Sequence, residues 1–557
     1  MRKFLVLVVC LLMLFGIVVF SGTFDRTRTL YIGGNLWAPP SNWNPLTPWA
    51  AVTGTIGLVY EPLFLYDPLT DKFEPWLAES GEWINDKIFQ VKLRKNLNWQ
   101  DGEPLTLEDV IFTFEVAKER PISYGPIWNW LEKIEKIDDY TINFVFTVPH
   151  YHEWRQNLYQ IAILPKHIWE NKTDAEMLQT SNEYPVASGP YYVESWSDDR
   201  VVYRRNDDWW GNNVFGRPKP ERIVILRVLS NNVAVNMLMN GGLDWSNFFL
   251  AGIPALKKNY GLVTWYDEKP YMLEGDLVGI FFNINKQPLY DKNLRRAIAF
   301  AIDVGQIIQK AFENMAIPAN PVGIRSIPGW KKFYPEDVVA KYGFKYDPEM
   351  AKKILDESGY KDVDGDGFRE DPNGNKFKLS IECPYGWTDF MISSQTIADN
   401  LRKIGINAEH RFVDVSKYNE DLYRGNFDII LNNYNGVTST IWTHFNYVFY
   451  PDAPNVEYAY SGNFGRYTNP NIRELLDQLN LTKDDTKIQE TVAKLSEILL
   501  TDMPYVPLWF NGAWFQASEA VWENWPNEHN PYAWPITWPN HWQLGSIKVI
   551  LNIQPKK

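Results

Sequence analysis

Cysteine is nearly absent from this 557-residue chain, which has only Cys10 and Cys383. Cys10 lies in an N-terminal segment that we expect to be removed, so the mature protein would retain one thiol. A single thiol excludes an internal disulfide, even in an oxidising compartment. Cys383 lies at the end of an apparent strand, where we interpret it as a packing residue and not as a nucleophile.

The chain also lacks basic blocks and the usual signatures of catalysis. Its formal net charge of −13 argues against nucleic acid or an anionic membrane as a partner. No G-x-S-x-G motif, P-loop or dinucleotide fingerprint is present. His152-Glu153 begins like a zinc-protease motif, but Gln156 stands where the second histidine is required. We therefore do not expect an enzyme of these classes.

A long apolar run occurs at the N-terminus. Arg2 and Lys3 precede apolar residues from Phe4 to Phe20, and small residues begin at Ser21. This arrangement predicts a secretory signal peptide over residues 1–22 and a periplasmic or extracellular location. A retained membrane anchor is the alternative, because a run of about 17 residues is at the lower limit for spanning a bilayer.

Tryptophan is unusually frequent, with 25 residues. Many of them adjoin turn-forming residues and amides, as in Asn42-Trp43-Asn44, Asp208-Trp209-Trp210-Gly211 and the segment from Trp534 to Trp542. Part of this set must belong to the core. Indole plates beside amide side chains on loops suit a neutral ligand with an apolar face and a rim of hydroxyl groups. That description fits a sugar.

Helix and strand patterns alternate along the chain, which indicates mixed α/β lobes. The strongest predicted helix runs from Asp291 to Glu313, where apolar residues recur at helical spacing. Thr106 and Asp109 predict a capping box at the start of another helix. Two or three lobes are expected at this length.

Five collinear segments resemble motifs of the family 5 extracellular solute-binding proteins. Each segment is weakly specific, but together they extend from about residue 30 to 515 and keep the order of the family. The segments are Leu58-Val-Tyr-Glu-Pro-Leu-Phe64, Ser188-Gly-Pro-Tyr-Tyr192, Asn240-Gly-Gly-Leu-Asp244, Asn283-Ile-Asn285 with Leu294–Asp303, and Asp502-Met-Pro-Tyr-Val-Pro-Leu508.

The resemblance implies an α/β, two-lobed periplasmic-binding-protein fold of type II, in its large family 5 variant, with a hinge between the lobes. The first lobe would comprise residues 23–268 and 510–557 with an inserted subdomain, and the second lobe residues 269–509. The chain would act as a monomer, hold its ligand between closing lobes, and deliver it to the permease subunits of an ABC transporter. No organic cofactor is implied.

The same resemblance bears on the ligand. Peptide-binding relatives place an aspartate after a Gly-Trp pair in the second lobe, where it pairs with the amino group of the peptide. In the corresponding stretch, Phe427 to Val437, the apolar Val437 stands about where that aspartate would be. An unpaired buried ammonium would cost several kcal/mol. We therefore expect a neutral oligosaccharide, with β-linked cello-, xylo- or manno-type chains favoured, and keep an oligopeptide receptor as the alternative.

The candidate ligand-binding residues are tryptophans that would stack on sugar rings and amides or a tyrosine that would bind hydroxyl groups. For each tryptophan alone, a core position is the more common role. The candidates are Asn35, Trp37, Trp43, Trp245, Asn247, Asn432, Asn433, Tyr434, Asn435, Trp442, Asn511 and Trp514.

An acidic loop matches the first half of a calcium-binding loop. Asp362, Asp364 and Asp366 occupy positions 1, 3 and 5, Phe368 would offer its carbonyl at position 7, and Glu370 follows. Position 12 is Asn373 instead of the bidentate glutamate, so a solvated acidic turn is the alternative. Any calcium here would be structural.

A secreted glycoside hydrolase is the rival function from another class, because Trp-lined clefts also serve hydrolysis. Such an enzyme needs two carboxyl groups about 5–9 Å apart. With 68 acidic residues the composition does not exclude this pair, but no segment has the catalytic pattern of a known family.

Overall fold

The computed structural model describes residues 24–36, 39–47, 51–434 and 437–557, so the signal-peptide prediction for residues 1–22 lies outside the described residues. The strands are β1 Thr29–Gly33, β2 Phe64–Asp67, β3 Lys72–Pro75, β4 Ala78–Asn85, β5 Ile88–Leu93, β6 Leu131–Lys136, β7 Thr141–Phe146, β8 Tyr191–Ser197, β9 Arg200–Arg205, β10 Arg222–Leu226, β11 Trp245–Ser246, β12 Leu262–Val263, β13 Leu273–Phe282, β14 Ile317–Pro318, β15 Leu379–Pro384, β16 Ala408–Val413, β17 Ile429–Tyr434, β18 Tyr505–Ala513, β19 Gln516–Ser518, β20 Trp522–Glu523 and β21 Gln554–Pro555.

The helices are α1 Leu107–Glu119, α2 Tyr151–Gln160, α3 Lys166–Trp169, α4 Asp174–Gln179, α5 Asn231–Met239, α6 Ile253–Tyr260, α7 Lys292–Ala301, α8 Val304–Phe312, α9 Pro328–Lys331, α10 Glu336–Tyr342, α11 Pro348–Glu357, α12 Thr388–Lys403, α13 Val415–Arg424, α14 Trp442–Phe449, α15 Ile472–Asn480, α16 Asp485–Asp502 and α17 Ile547–Asn552. Short 3₁₀ turns occur at Arg26–Arg28, Gly125–Asn129, Trp210–Asn213, Ala453–Asn455 and Trp542–Leu544. Across these described ranges, none of the helices combines the length and the apolar character needed to cross a membrane.

The first large sheet has the strand order β12-β19-β11-β1-β10-β9-β8. Strand β1 pairs in parallel with β10 on one side and with β11 on the other. Leu30 and Ile32 of β1 are fully buried, and the C-terminal segment from Trp522 to Ile553 packs into the same core. This sheet therefore joins the beginning, middle and end of the chain in the first lobe.

The second large sheet has the order β14-β18-β13-β17-β15-β16. Its central strand β13 buries both faces: Leu277 and Phe281 point to one core, while Val278 and Ile280 point to another. Period-two alternation between two buried faces is what a strand between two helical layers requires. This sheet and its helices form the second lobe.

The chain passes twice between these sheets, from β12 to β13 and from β18 to β19. The two connections lie side by side, because β13 and β18 are antiparallel neighbours. Two adjacent crossings of this kind are a suitable hinge, since a few residues in each can absorb the rotation of one lobe relative to the other.

A subdomain inserted between β1 and β8 is built on a four-stranded antiparallel sheet with the order β4-β5-β7-β6. Helix α1 begins with the predicted capping box: Thr106 accepts a hydrogen bond from the helix, and Asp109 accepts one from the Thr106 backbone N–H. Helix α2 follows β7 and carries Trp154, which is fully buried among Phe89, Phe114 and Phe144.

The single helix expected from Asp291 to Glu313 is two helices, α7 and α8. Ile302 adopts an extended conformation, and the Asp303 side chain accepts a hydrogen bond from the Gln306 backbone N–H at the start of α8. A capping aspartate satisfies a free N–H at a new helix start, so the helical periodicity continues across a break in direction.

A buried carboxyl group organises several of the tryptophans. Glu61 accepts hydrogen bonds from the indole N–H groups of Trp76 (2.8 Å), Trp209 (3.1 Å) and Trp210 (2.8 Å). Burial raises the pKa of Glu61 to about 7, against the opposite effect of these three hydrogen bonds. The Trp209-Trp210 pair, which adjoins turn residues in the sequence, therefore belongs to the core.

Candidate ligand-binding cleft

One edge of the second-lobe sheet faces the first lobe. Strands β15 and β17 are parallel and end there, at Pro384 and Tyr434, while β18 ends at Ala513 and continues directly into β19 of the first sheet. In open α/β sheets, ligands bind beyond the carboxyl ends of the strands. The space between this edge and the first lobe is therefore the candidate cleft.

A chain of buried polar side chains forms the first-lobe side of the cleft base. Asn35 donates to the Thr537 hydroxyl (2.6 Å), and Thr537 donates in turn to Asn247 Oδ1 (2.6 Å). Asn247 Nδ2 donates to the Trp514 carbonyl (2.6 Å), so both the oxygen and the nitrogen of the Asn247 amide form hydrogen bonds within the protein. Asn35 Oδ1 is buried and has no hydrogen-bond partner within the described part of the chain.

On the second-lobe side, three consecutive predicted residues have different roles. Asn432 is buried, accepts a hydrogen bond from the Tyr418 hydroxyl and donates to the Tyr447 hydroxyl. Both ends of its amide therefore form hydrogen bonds within the second lobe. Asn433 Nδ2 donates to Asp276 Oδ2 (2.8 Å). The Tyr434 ring stacks on Tyr447 with centroids 3.9 Å apart.

Asp276 and Arg325 lie beside these residues, although no motif in the sequence marks either of them. Arg325 is buried, donates to the Gly275 carbonyl, and lies over the rings of Trp330 and Phe510. Burial raises the pKa of Asp276, and the charge of Arg325 opposes the rise. Among the residues that the structure describes, Asp276 Oδ1 is buried and has no hydrogen-bond partner, so this carboxyl group offers an acceptor at the cleft edge.

The predicted tryptophans divide between core and surface. Trp43 and Trp245 are fully buried and donate their indole N–H groups to the Tyr203 hydroxyl and the Pro535 carbonyl, so the structure places both as first-lobe core residues. Trp514 packs against Phe249 and Phe312. Asn511 is buried and accepts from Trp509. Trp442 is partly exposed at the start of α14, whereas Trp37 and Asn435 lie outside the described residues.

A seam of hydrogen bonds joins α2 of the inserted subdomain to the second lobe. His152 contacts the Thr440 hydroxyl through Nδ1 (2.5 Å) and the Thr482 carbonyl through Nε2 (3.2 Å), and Asn480 accepts from the Glu153 backbone N–H (3.0 Å). The cavity at this seam has a volume of only about 100 Å³. Small-molecule sites usually measure roughly 300–1,000 Å³. The α2 seam is therefore too small for a ligand of that class and is a contact between the inserted subdomain and the second lobe.

The acidic loop has two kinds of partner. Carboxylate oxygens of Asp362, Asp364 and Glu370 lie within 4.8 Å of one another. However, Lys376 forms ion pairs with both Asp364 and Asp366, and its hydrogen bond holds the pKa of Asp366 below the usual range. A cation bound to all three aspartates, the Phe368 carbonyl and Glu370 would have to displace this ammonium group. Calcium at the loop stays a prediction.

Three residues of the C-terminal segment lie at the candidate cleft but were not among the ligand-binding residues predicted from the sequence. Thr537, Trp538 and His541 lie at the cleft base: Trp538 donates to the Asn247 carbonyl (3.2 Å), and its ring lies 5.5 Å from that of His541. The signal was present in the cluster of tryptophans between Trp534 and Trp542, but sequence distance gave no indication that this segment returns to Asn35 and Asn247.

Comparison with known proteins agrees with this architecture. The family described as bacterial extracellular solute-binding proteins, family 5 Middle, matches residues 72–455. The curated oligopeptide-binding protein AppA of Bacillus subtilis is 26% identical over 449 residues, which cover 78% of this chain and 77% of that protein.

Two crystal structures of a periplasmic oligopeptide-binding protein of an ABC transporter from Thermotoga maritima are more similar. Both are 64% identical to this chain and cover 96% of it and 100% of their own chains, with TM-scores of 0.94 and 0.91. The second was determined with mannohexaose bound. These similarities confirm the expected α/β, two-lobed binding-protein fold.

Proposed function

Because this chain belongs to the family 5 extracellular solute-binding proteins, we propose that it is the receptor of an ABC importer for a neutral oligosaccharide of the manno-type. The family consists of substrate-binding receptors. Lobes joined by two adjacent crossings can close on a ligand and present it to permease subunits. The sequence predicted a β-linked chain of the cello-, xylo- or manno-type, and of these three we propose the manno-type.

The mannohexaose bound to the Thermotoga maritima protein is the observation that carries this proposal. That protein shares 64% identity over nearly the whole chain, whereas the peptide-binding AppA shares 26%. Its description as oligopeptide-binding keeps the peptide receptor as the alternative, and the charges of the cleft distinguish the two.

Charge in the cleft supports a neutral ligand. Val437 is buried and packs into the first-lobe core, so this position supplies an apolar contact between the lobes and no counter-charge for an ammonium group. The buried carboxyl group of Asp276 has the buried guanidinium of Arg325 as its electrostatic partner. A peptide amino group would have to compete with Arg325 for Asp276.

The free acceptors suit hydroxyl groups. Asn35 Oδ1 and Asp276 Oδ1 are both buried and have no hydrogen-bond partner in the described ranges of the chain, and a buried polar atom is stabilised when a ligand donates to it. We propose that sugar hydroxyls donate to these two atoms. Trp37, Tyr434, Asn435 and Trp442 remain the proposed contacts to sugar rings and further hydroxyls.

We expect the mature chain to bind mannohexaose with a Kd in the micromolar range, about −8 kcal/mol, and to bind a neutral hexapeptide far more weakly. Isothermal titration calorimetry at pH 7.5 measures both, and chromatography of the sugar after several hours measures hydrolysis. Selective binding of the peptide would contradict the proposal and establish the alternative receptor. Shortened sugar products would instead support the glycoside hydrolase.

A further inference from the structure

Trp387 differs from the other tryptophans that the structure describes. It is the one described tryptophan that is exposed and not buried or partly buried, at 38%, and Tyr385, two residues before it, is 69% exposed. Exposed aromatic residues scattered singly are common on protein surfaces. Two in one short turn at the edge of a binding cleft form a small apolar patch that a ligand can cover.

Strand register locates this turn at the cleft edge. In the parallel pair β15–β17, Glu382 is level with Ile430, and continuing this register by three residues along both chains brings Tyr385 to the level of Asn433. Neighbouring strands lie about 4.8 Å apart. The Tyr385–Trp387 turn therefore lies one strand farther from the hinge than Asn433 and Tyr434, along the same sheet edge.

Local packing holds the turn in place while leaving the indole partly open. The Tyr385 backbone N–H donates to the Val413 carbonyl (2.7 Å), and Gly386 adopts a positive φ of 88°, which reverses the chain there. The Trp387 ring meets Phe390 edge-on at 5.3 Å and lies 6.5 Å from Tyr418. An indole that is fixed on one side and exposed on the other loses little conformational entropy when a ligand stacks on it.

We propose that Trp387, with Tyr385, is a stacking platform for the sugar units at one end of the bound oligosaccharide, and that it sets the preference for long chains. This inference rests on the proposed function. A chain lying along the sheet edge would pass from the Asn433–Tyr434 region directly to this turn. Shorter chains held at the cleft base would not reach it.

Calorimetric titration of the Trp387→Ala variant with mannotriose and mannohexaose tests the platform. One aromatic contact corresponds to roughly a five-fold change in Kd. We expect Trp387→Ala to weaken mannohexaose binding by about this factor and to leave mannotriose binding unchanged, while Trp387→Phe retains most of the affinity. Tyr184→Ala, an exposed aromatic of the inserted subdomain, is the matched control and should change neither Kd.

The outcomes separate this inference from the proposed function. Unchanged mannohexaose affinity in Trp387→Ala, or equal losses for the two sugars, would overturn the platform while the receptor function stands. A wild-type chain that binds neither sugar would overturn the proposed function and the platform together. Thermal unfolding of each variant shows whether any loss comes from a disturbed fold, which would lower the affinity for both sugars.

Discussion

Replacing Asp276 with asparagine is expected to weaken mannohexaose binding by roughly 10- to 100-fold, because a hydrogen bond to a charged group contributes about 1.5–3 kcal/mol. Asp276 Oδ1 is a buried acceptor without a partner in the part of the chain that the structure describes. The amide of asparagine keeps the shape but removes the charge. Calorimetric titration of the variant with mannohexaose at pH 7.5 measures the change in Kd.

Two controls are needed for this variant. Asp276→Asn leaves the buried Arg325 without its electrostatic partner, so we also expect a lower free energy of unfolding. Titration well below the melting temperature separates this loss from the loss of affinity. Asp139→Asn makes the same change at a side chain that is 89% exposed and should alter neither property. Undiminished affinity in Asp276→Asn would show that Asp276 does not contact the sugar.

Acidification is expected to weaken ligand binding by up to roughly 100-fold between pH 6.5 and 4.5, at most tenfold per pH unit. The cause is His152 in the α2 seam. The pKa of His152 is lowered to about 4, mainly by burial and in smaller part by the charges of Arg155 and Lys332, while the Thr482 carbonyl and Asp485 act in the opposite direction. When the lobes open, we expect His152 to be exposed and to regain its ordinary pKa of about 6.5.

The direction in which ligand affinity changes with pH depends on which of the two forms, open or closed, binds the proton. Between pH 6.5 and 4 the open form takes up a proton at His152 that the closed form excludes, so falling pH favours opening and lowers affinity. Well above pH 6.5 neither form is protonated, and this contribution is constant. His541, also at the cleft base, has a pKa lowered by burial to about 3, so it titrates below this window.

Titrating mannohexaose against wild type and His152→Gln at several pH values isolates this effect. Glutamine can still form hydrogen bonds with Thr440 and Thr482 but does not titrate. We expect the variant to have a flatter profile of Kd against pH. Titratable groups that both proteins share contribute equally to the two profiles, so the difference between them reports His152. Two superimposable profiles would assign the acid sensitivity to a group other than His152.

Local signals predicted local structure well. The Thr106–Asp109 capping box was confirmed because each of its contacts lies within one helical turn. The helix expected from Asp291 to Glu313 shows the limit of periodicity: apolar spacing continues through Ile302, and only the backbone reveals the break before Asp303.

The candidate site was less accessible to sequence reasoning. Tryptophan beside turn residues did not distinguish a ligand platform from a core residue: Trp209 and Trp210 point inward to Glu61, and Trp245 donates to Pro535. Those partners are distant in the chain. Asp276 was missed for a related reason, since an isolated aspartate in a strand gains its significance only from Arg325 and Asn433 beside it.

The Glu61 cluster has an optical consequence. Three indole N–H groups donate to one carboxyl group whose pKa burial raises to about 7, so their environment changes with pH in a range where binding would ordinarily be studied. Indole emission responds to a neighbouring charge. Part of the intrinsic fluorescence of this protein would therefore report proton uptake at Glu61 in the first lobe, and only the few tryptophans at the cleft would report the arrival of a sugar.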